Sequence, residues 1–262
     1  MPLTKFQTQI ARLLSKNRSE DSHLAGGAAI HLESQSIRFS NDLDYFHDSD
    51  ARVAKSFEQD HELLIEHKYE IEIELRQPGY IRVSASKGAD STKIEWAHDT
   101  AWRFMPAVAD PICGFRLHPI DLAINKVLAL AGRNEARDYL DVIHLHKNLL
   151  PLGALCWAAA GKDPGLNPRS LLELLKRRGK FRQEDIDRLQ LKNKFDIQVL
   201  KSQWLEAVEQ AEAFIQSRPA EEVGCLYLSI KTKEFYAPTS SDRIKKDYQL
   251  HFGRPGGLIP LI

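Results

Sequence analysis

Three consecutive segments of alternating apolar and polar residues constrain the fold of this chain more than any other feature. They are YEIEIEL (69–75), YIRVSAS (80–86) and TKIEWAHD (92–99), and the turn sequences RQPG and KGADS separate them. An apolar period of two, interrupted by Pro and Gly, predicts β-strands joined by short turns. The middle of the first half of the chain is therefore expected to form a sheet.

The segments before this sheet add helices and a further strand. Residues 4–15 and 49–67 have the apolar spacing of amphipathic helices. Residues 37–46 (IRFSNDLDYF) predict a strand, and residues 23–34 (HLAGGAAIHLES) predict an apolar entry, a Gly-Gly turn and a helix of about two turns. The first hundred residues therefore predict an α/β domain with a mixed sheet and helices packed on it.

The pattern becomes helical in the second half. Residues 118–132, 167–180 and 197–217 have helical spacing, with Pro119 and Pro168 at first helical positions. In the C-terminal tail, CLYLSI and EFYAP are expected to pair, and FGRPGGLIPLI is expected to be irregular. These patterns predict an α/β domain at 1–104, a helical domain at 105–223 and a mixed β and irregular tail at 224–262.

Charge and cysteine content exclude several classes of protein. Lys+Arg and Asp+Glu both number 36, so the chain as a whole has no net positive charge that would attract nucleic acid or acidic membranes. Three widely spaced cysteines predict neither a disulfide framework nor a zinc knuckle. The longest apolar run, LLPLGALCWAAAG, is too short to span a bilayer, and the N-terminus lacks the apolar core of a signal peptide. We therefore expect a cytoplasmic protein that does not bind membranes.

Two carboxylates, Asp42 and Asp44, lie two residues apart in the strand predicted at 37–46. Side chains at i and i+2 share one face of a strand, so the two charges would repel each other. A divalent cation would remove that repulsion. The stretch is not an EF-hand, because His47 and Val53 stand where that loop needs Gly and Glu. The alternative is that both residues end a strand and cap the next helix.

The residues before the aspartates suggest a phosphate ligand. Gly26 and Gly27 allow a close backbone approach, and Arg38 and Ser40 add a cation and a hydroxyl. Together with the metal-binding pair, they form a set suited to a nucleoside triphosphate with Mg²⁺. Glu95 is our choice for a third carboxylate, because it lies on a later strand between apolar neighbours. Glu72 and Glu74 compete with it, but their regular alternation favours a solvated face.

These motifs resemble a known family. LAGGAAIHLES followed by IRFSNDLDYF resembles the Gly-Gly…Arg-x-Ser-x-Asp-Leu-Asp-Phe signature of the DNA polymerase β-like nucleotidyltransferases. HPIDLAINKVLALAGRNEARDYLDVIHL is similar to the helical Lys-x-x-Ala…Arg…Arg-Asp-x-x-Asp motif of the AbiEii/AbiGii-type nucleotidyltransferase toxins. The resemblance covers residues 20–147 and implies an α/β (α+β) fold: a polymerase β-like nucleotidyltransferase domain with a mixed sheet, followed by a helical domain.

The resemblance also implies functional roles. The donor would be an NTP with Mg²⁺ or Mn²⁺, and a nucleoside monophosphate would pass to an acceptor. The implied metal ligands and base are Asp42, Asp44 and Glu95, and the implied nucleotide-binding residues are Gly26, Gly27, Arg38, Ser40 and Lys126. Asp138 and Asp141 match the last motif, where a structural ion-pair network is an equal alternative. Two positions depart from the family pattern, Ala28 in place of Thr or Ser and Glu95 in place of Asp.

Several alternatives remain open. The acceptor could be tRNA, a protein or a small molecule, and the basic segment 176–182 (KRRGKFR) favours RNA. The family further implies a bacterial toxin with an antitoxin partner. Ala28 and Glu95 are also compatible with a nucleotide-binding regulatory module that has no catalytic activity. A metal-dependent glycosyltransferase is disfavoured. The Asp-x-Asp motif of those enzymes is not preceded by Gly-Gly and Arg residues like the ones found here.

Overall fold

The chain divides into two compact units. The computed structural model describes residues 3–30, 32, 37–239 and 244–260. The first unit is formed by Met1–Leu122, Gln190–Lys192 and Arg254–Gly257. The second is formed by Ala123–Leu189, Asn193–Gly253 and Leu258–Ile262. The domain boundaries proposed from the sequence at residues 104 and 223 stay predictions.

The first unit contains most of the strands. Its elements are α1 (Lys5–Leu14), β1 (Ser22–Ala25), α2 (Gly26–Ile30), β2 (Asp42–His47), α3 (Asp50–Glu66), β3 (Glu70–Gln77), β4 (Tyr80–Lys87), β5 (Asp90–His98), β6 (Trp102–Arg103), β7 (Val108–Asp110) and β8 (Gly114–Arg116). Helix α1 begins with a capping box, because Thr4 and Gln7 each accept a hydrogen bond from the other's backbone N–H. Ser49 caps α3 by accepting from the N–H of Arg52.

Seven strands form one mixed sheet in the order β3-β4-β5-β2-β1-β8-β7. The pairs β5/β2 and β1/β8 are parallel, and the other four pairs are antiparallel. The mixed sheet predicted from the sequence is thus confirmed. The parallel β2/β5 pair is the important one for function, because it places the segment of Asp42 and Asp44 beside the segment of Glu95.

Helices α1 and α3 pack on one face of this sheet. The apolar side chains of β2, β4 and β5 point toward them and are buried: Leu43, Tyr45, Ile81, Val83, Ile94 and Trp96. The alternate residues of the same strands therefore point to the opposite face, where burial is only partial. That opposite face carries Asp42, Asp44 and Glu95.

A β-bulge interrupts the edge strand β3. Ile73 pairs with Val83, but Leu75 pairs with Arg82, so Glu74 is the extra residue. Beyond the bulge the alternation of side chains is shifted, and the Arg76 guanidinium lies over the Phe57 ring of α3. Glu72 and Glu74 are exposed, as the sequence predicted for a solvated face.

The strand predicted at 37–46 begins only at Asp42. The preceding residues pair instead with a remote segment, since the Phe39 N–H donates to the Gln190 carbonyl and the Lys192 N–H donates to the Ile37 carbonyl. Arg38 and Leu191 form an isolated antiparallel bridge. The sequence pattern could not separate these two kinds of extended backbone.

Two other sequence predictions need correction. The apolar entry before Gly26 is strand β1, and α2 has five residues from Gly26 onward; residues 31 and 33–36 lie outside the described part of the chain. The helical region was expected from residue 105, but β7 and β8 extend the sheet first. Strands of three residues are too short to show an alternating pattern.

The second unit is mainly helical. Its elements are α4 (Pro119–Gly132, which begins in the first unit), α5 (Ala136–Asn148), α6 (Leu152–Lys162), α7 (Pro168–Arg177), α8 (Gln183–Asp187), α9 (Ile197–Ser217), β9 (Cys225–Ser229), β10 (Phe235–Tyr236), α10 (Ile244–Asp247) and β11 (Tyr248–Phe252). Helix α6 is buried along nearly its whole length and packs on α7, α9 and β9. The predicted pairing of CLYLSI with EFYAP is confirmed as β9/β10.

The last strand, β12 (Arg254–Pro255), belongs to the first unit and pairs with β6, so part of the tail expected to be irregular is a strand.

Cys113, Cys156 and Cys225 are all buried thiols that form no disulfide. Among the described helices, none combines the length and the apolar character that crossing a bilayer requires.

Candidate active site

Asp42, Asp44 and Glu95 form a cluster on the open face of the sheet. Asp44 and Glu95 are register partners across β2/β5, and Asp42 lies on the same face two residues before Asp44. Each residue offers one carboxylate oxygen, and these oxygens all lie within 4.8 Å of one another. All three residues are partly buried, so water screens their repulsion incompletely.

This arrangement fits a divalent metal. In an octahedral Mg²⁺ site, oxygen ligands at about 2.1 Å from the ion lie roughly 3 Å apart when adjacent and about 4.2 Å apart when opposite. The upper limit of 4.8 Å between the three carboxylate oxygens is close to these distances. Carboxylate oxygens are also the ligands that Mg²⁺ and Mn²⁺ prefer. The three residues proposed from the sequence as metal ligands are therefore brought together.

Glu95 is held by two side chains of the neighbouring strand β4. Arg82 pairs with Glu95 across β4/β5, and its Nε donates to Glu95 Oε1 over 2.8 Å. Partial burial and the hydrogen bond with the Glu95 carboxylate raise the pKa of Tyr80 to about 12. The Arg82 guanidinium also lies 5.5 Å from the centre of the Tyr80 ring. Neither Arg82 nor Tyr80 was selected from the sequence, because a strand residue facing solvent carries no motif.

Gly26 and Gly27 line the same region through close packing. Gly26 has φ +61°, and a Cβ atom placed there would lie 1.8 Å from Asp44 Oδ2. A Cβ atom on Gly27 would lie 2.7 Å from an Arg38 guanidinium nitrogen and 3.2 Å from Ser40 Oγ. The structure thus brings both glycines together with Asp44, Arg38 and Ser40. At both positions, a side chain would occupy space that these polar groups need.

Ser40 connects this region to the metal cluster. Its hydroxyl donates to Asp42 Oδ1 over 3.0 Å. Its carbonyl accepts a hydrogen bond from the buried Gln7 side chain of α1, which also donates to Thr92 Oγ1. Arg38 is buried and donates to the Phe39 carbonyl. Gln7 therefore positions the start of β2; the helical spacing of α1 gives no sign of this role, because it depends on the apolar residues alone.

Ala28 is fully buried in the core of the first unit, where its methyl group packs. The two strand glutamates that competed with Glu95 lie outside the described carboxylate cluster, and Glu74 Oε2 instead pairs with Lys93 Nζ at 2.9 Å. This geometry favours Glu95 as the third carboxylate.

Lys126, Asp138 and Asp141 form a buried ion cluster of their own in the second unit. Lys126 Nζ lies 2.8 Å from Asp138 Oδ1 and 3.0 Å from Asp141 Oδ2, and Arg133 Nε lies 2.7 Å from Asp138 Oδ2. Burial alone would raise the pKa of Asp138, but the Lys126 charge and hydrogen bonds from Arg133 and Lys126 lower it overall. This network agrees with the structural alternative; a contact between Lys126 and a nucleotide stays a prediction.

The basic segment 176–182 is partly used in structural contacts. Lys176 pairs with Glu173 and Glu212, and the Arg178 guanidinium donates to the carbonyl of Ala131. Three cations of the segment are exposed instead: Arg177, Lys180 and Arg182. Those three side chains are therefore the cations of the segment that lie on the surface.

No protein-family model matches the chain, and no curated protein matches it in sequence. Among solved structures, it is similar to MenT4, a nucleotidyltransferase toxin from Mycobacterium tuberculosis, with 17% identity and a TM-score of 0.50 over 82% of this chain and 83% of MenT4. A candidate nucleotidyltransferase from Helicobacter pylori has 16% identity and a TM-score of 0.48 over 80% and 94% of the two chains. JHP933, also from Helicobacter pylori, has 16% identity and a TM-score of 0.47 over 82% and 95%.

The likeness to MenT4 shows the fold. The chain has a polymerase β-like nucleotidyltransferase fold, as the sequence motifs predicted. At this level of identity, similarity does not transfer an activity, because one fold hosts many functions. Membership of the AbiEii/AbiGii-type group stays a prediction.

Proposed function

We propose that the protein is a metal-dependent nucleotidyltransferase that moves a nucleoside monophosphate from an NTP to an acceptor. The observation that carries this proposal is the cluster of Asp42, Asp44 and Glu95 on the open face of a nucleotidyltransferase-type sheet. Three partly buried carboxylates that converge in this way call for a divalent cation. The neighbouring glycines and Arg38 add groups suited to a triphosphate.

The proposed reaction is an in-line displacement. The acceptor hydroxyl oxygen bonds to the α-phosphorus of the NTP, and the bond from that phosphorus to the bridging oxygen of the β-phosphate breaks. Pyrophosphate leaves with the electron pair of the broken bond. When bound, Mg²⁺ or Mn²⁺ supplies Lewis-acid stabilisation of the phosphate charge. We assign the acceptor proton to the Glu95 carboxylate.

The side chains of this chain divide the remaining tasks. Asp42, Asp44 and Glu95 hold the metal, and Ser40 keeps Asp42 in place through its hydroxyl. Gly27 leaves room for the Arg38 guanidinium beside the α2 backbone, where it would stabilise phosphate charge. Gly26 lets the same backbone approach Asp44. These contacts hold the reacting groups in one geometry, and positioning is the main source of catalysis in this chemistry.

For the acceptor we propose RNA, with tRNA as the first candidate. Exposed Arg177, Lys180 and Arg182 support this choice, because such cations bind phosphate backbones. We further propose that the protein is a toxin of a bacterial toxin–antitoxin or phage-defence pair, acting in the cytoplasm, where NTPs and RNA occur. The fold shared with the toxin MenT4 supports this part of the proposal.

The experiment uses purified protein, Mg²⁺ or Mn²⁺, each of the four α-³²P-labelled NTPs, and total bacterial RNA. Wild type is compared with Asp44→Asn, which removes one carboxylate charge from the cluster. Asp90→Asn is the matched control, since Asp90 is an exposed aspartate at the start of β5 and is not one of the three clustered carboxylates. We expect label in a tRNA-sized band with wild type and Asp90→Asn, and none with Asp44→Asn.

Other outcomes identify other functions. Label in a protein band would show nucleotidylation of a protein and would reject the RNA acceptor. Metal-dependent NTP binding without any transfer would point to a regulatory module. Equal labelling by wild type and Asp44→Asn would reject the proposed site. Growth arrest on expression of wild type but not of Asp44→Asn would support the toxin assignment.

A further inference from the structure

Glu95 is shared between the carboxylate cluster and a cation. Asp44, Glu95 and Arg82 are register partners across β2, β5 and β4, so their side chains form a row on the open face. Glu95 Oε1 accepts the hydrogen bond from Arg82 Nε, while a Glu95 oxygen also belongs to the group of ligand atoms within 4.8 Å. A metal bound by this cluster would therefore lie close to the arginine.

Arg82 contacts the carboxylate cluster through its hydrogen bond to Glu95. Lys93, the register partner of Asp42, has its ammonium 2.9 Å from Glu74 Oε2 of the edge strand β3. The Glu95 side chain is 19% exposed and that of Arg82 is 38% exposed. The carboxylate is thus held in a partly dry position, whereas the guanidinium retains enough solvent access to move.

We infer that Arg82 is a resident counter-ion of Glu95 that competes with the divalent cation and thereby sets the metal affinity of the site. This inference rests on the proposed function, because it concerns the same carboxylates. Without metal, the guanidinium offsets part of the repulsion within the cluster. When a divalent cation binds, its charge and that of Arg82 repel each other across Glu95. Arg82 is then a positioning residue that acts through Glu95.

The size of the effect follows from Coulomb's law. A unit charge about 6 Å from a divalent ion, with screening close to that of water, changes the affinity roughly tenfold. An opposing effect exists, because a hydrogen bond that orients a metal ligand strengthens binding, and its loss typically weakens affinity about 10–100-fold. A variant that keeps the hydrogen bond and removes the charge separates the two effects.

Arg82→Gln is that variant. The amide nitrogen of Gln stands the same number of bonds from Cα as the Nε of Arg, which is the atom that donates to Glu95. Glutamine can therefore keep the donor and lose the charge. Arg82→Lys keeps a charge, and Lys93→Gln is the matched control that removes a charge from the same face without touching Glu95.

The measurement is the dissociation constant for Mn²⁺ alone, from the electron paramagnetic resonance signal of free Mn²⁺ titrated with protein. We expect Arg82→Gln to bind Mn²⁺ about tenfold more tightly than wild type. Arg82→Lys is expected to stay within about threefold of wild type, and so is Lys93→Gln, because Lys93 is 53% exposed and paired elsewhere.

Two results would overturn the inference while leaving the metal site intact. The first is Mn²⁺ binding by Arg82→Gln that is equal to or weaker than that of wild type, which would make Arg82 an orienting group only. The second is equal tightening by Lys93→Gln, which would be a general charge effect. Failure of the proposed function has a different signature: wild type would then bind Mn²⁺ no better than Asp44→Asn does.

Discussion

Gly26 and Asp44 are packed so closely that a single methyl group on the glycine would lie 1.8 Å from the Asp44 carboxylate. The glycine also has a positive φ of 61°, which residues with a side chain adopt at a cost. The two requirements coincide at one residue, at the start of α2 and beside the carboxylate cluster. The backbone of this glycine thus forms one side of the metal position.

Gly26→Ala is therefore expected to weaken Mn²⁺ binding at least about tenfold, because Asp44 must shift. The strained backbone should also lower the free energy of unfolding by about 1–3 kcal/mol. Gly88→Ala is the control: Gly88 has a similar positive φ of 65°, but a Cβ atom there would meet nothing within 4 Å, so Mn²⁺ affinity should stay within about threefold. Titration with Mn²⁺ and urea unfolding measure both effects. Equal Mn²⁺ affinities of the two variants would contradict the packing described for Gly26.

Gln7→Leu is expected to lower the free energy of unfolding by about 2 kcal/mol. The change leaves the Ser40 carbonyl and the Thr92 hydroxyl without a buried donor, and such losses cost about 1–3 kcal/mol. It should also weaken Mn²⁺ binding, because the start of β2 is less well held. Thr4→Ala, which removes the cap of α1 but keeps the Gln7 donors, should cost about 1 kcal/mol and spare Mn²⁺ binding. Urea unfolding of both variants separates capping from positioning.

Lys126→Met tests the ion cluster of the second unit. It leaves Asp138 and Asp141 buried without their shared ammonium, so the free energy of unfolding should fall by about 3–5 kcal/mol. Arg133→Met removes a half-exposed partner of Asp138 and should cost about 1 kcal/mol or less. Urea unfolding provides the comparison. If Lys126→Met kept full stability and lost NTP binding, the nucleotide contact predicted from the sequence motif would be favoured instead.

Stability should decrease in mild acid because of two buried histidines. Burial and the Arg103 charge lower the pKa of His23 to about 4, and burial with the charges of Arg18 and Arg52 lowers the pKa of His47 to about 2. The unfolded chain takes up these protons near pH 6.5, whereas the folded chain does not. Stability contributed by the neutral histidines is complete above about pH 6.5.

That contribution should decline as the pH falls toward 4, by up to about 1.4 kcal/mol per pH unit for each histidine. Urea unfolding between pH 7 and 4.5 measures the slope. His47→Gln should lower the pH dependence of the free energy of unfolding by the contribution of one histidine. This holds whatever the substitution does to stability at pH 7. An unchanged slope would mean that His47 already binds a proton in the folded protein.

Much of the fold follows from local patterns in the sequence. The meander from Glu70 to His98, α1, α3 and α9 have long, regular periods, and the structure confirms them. The failures have a physical cause as well. Strands β7 and β8 are three residues long, and residues 37–41 are extended because they pair with residues 190–192. No local window of sequence contains a partner that lies about 150 residues away.

The residues of the candidate site likewise include some that local sequence patterns predict and some that depend on distant partners. Asp42, Asp44 and Glu95 could be proposed from spacing and from their place on strands, and the structure brings them together. Arg82 could not be proposed in this way, because its contact with Glu95 depends on the register between β4 and β5. That register cannot be read from the sequence of either strand alone. Gln7 reaches Ser40 only after α1 has docked on the sheet. Lys126 has the right motif but lies in an ion cluster of its own.

The pairing of residues 37–39 with 190–192 also affects how the protein is made. The segment that carries Arg38 finds its backbone partner only after more than 150 further residues have left the ribosome, and closing so long a loop is entropically costly. The sheet can form earlier, from neighbouring segments. A nascent chain would therefore carry the carboxylates long before its Arg38 segment is ordered, so the maturation of the site is a late event in synthesis.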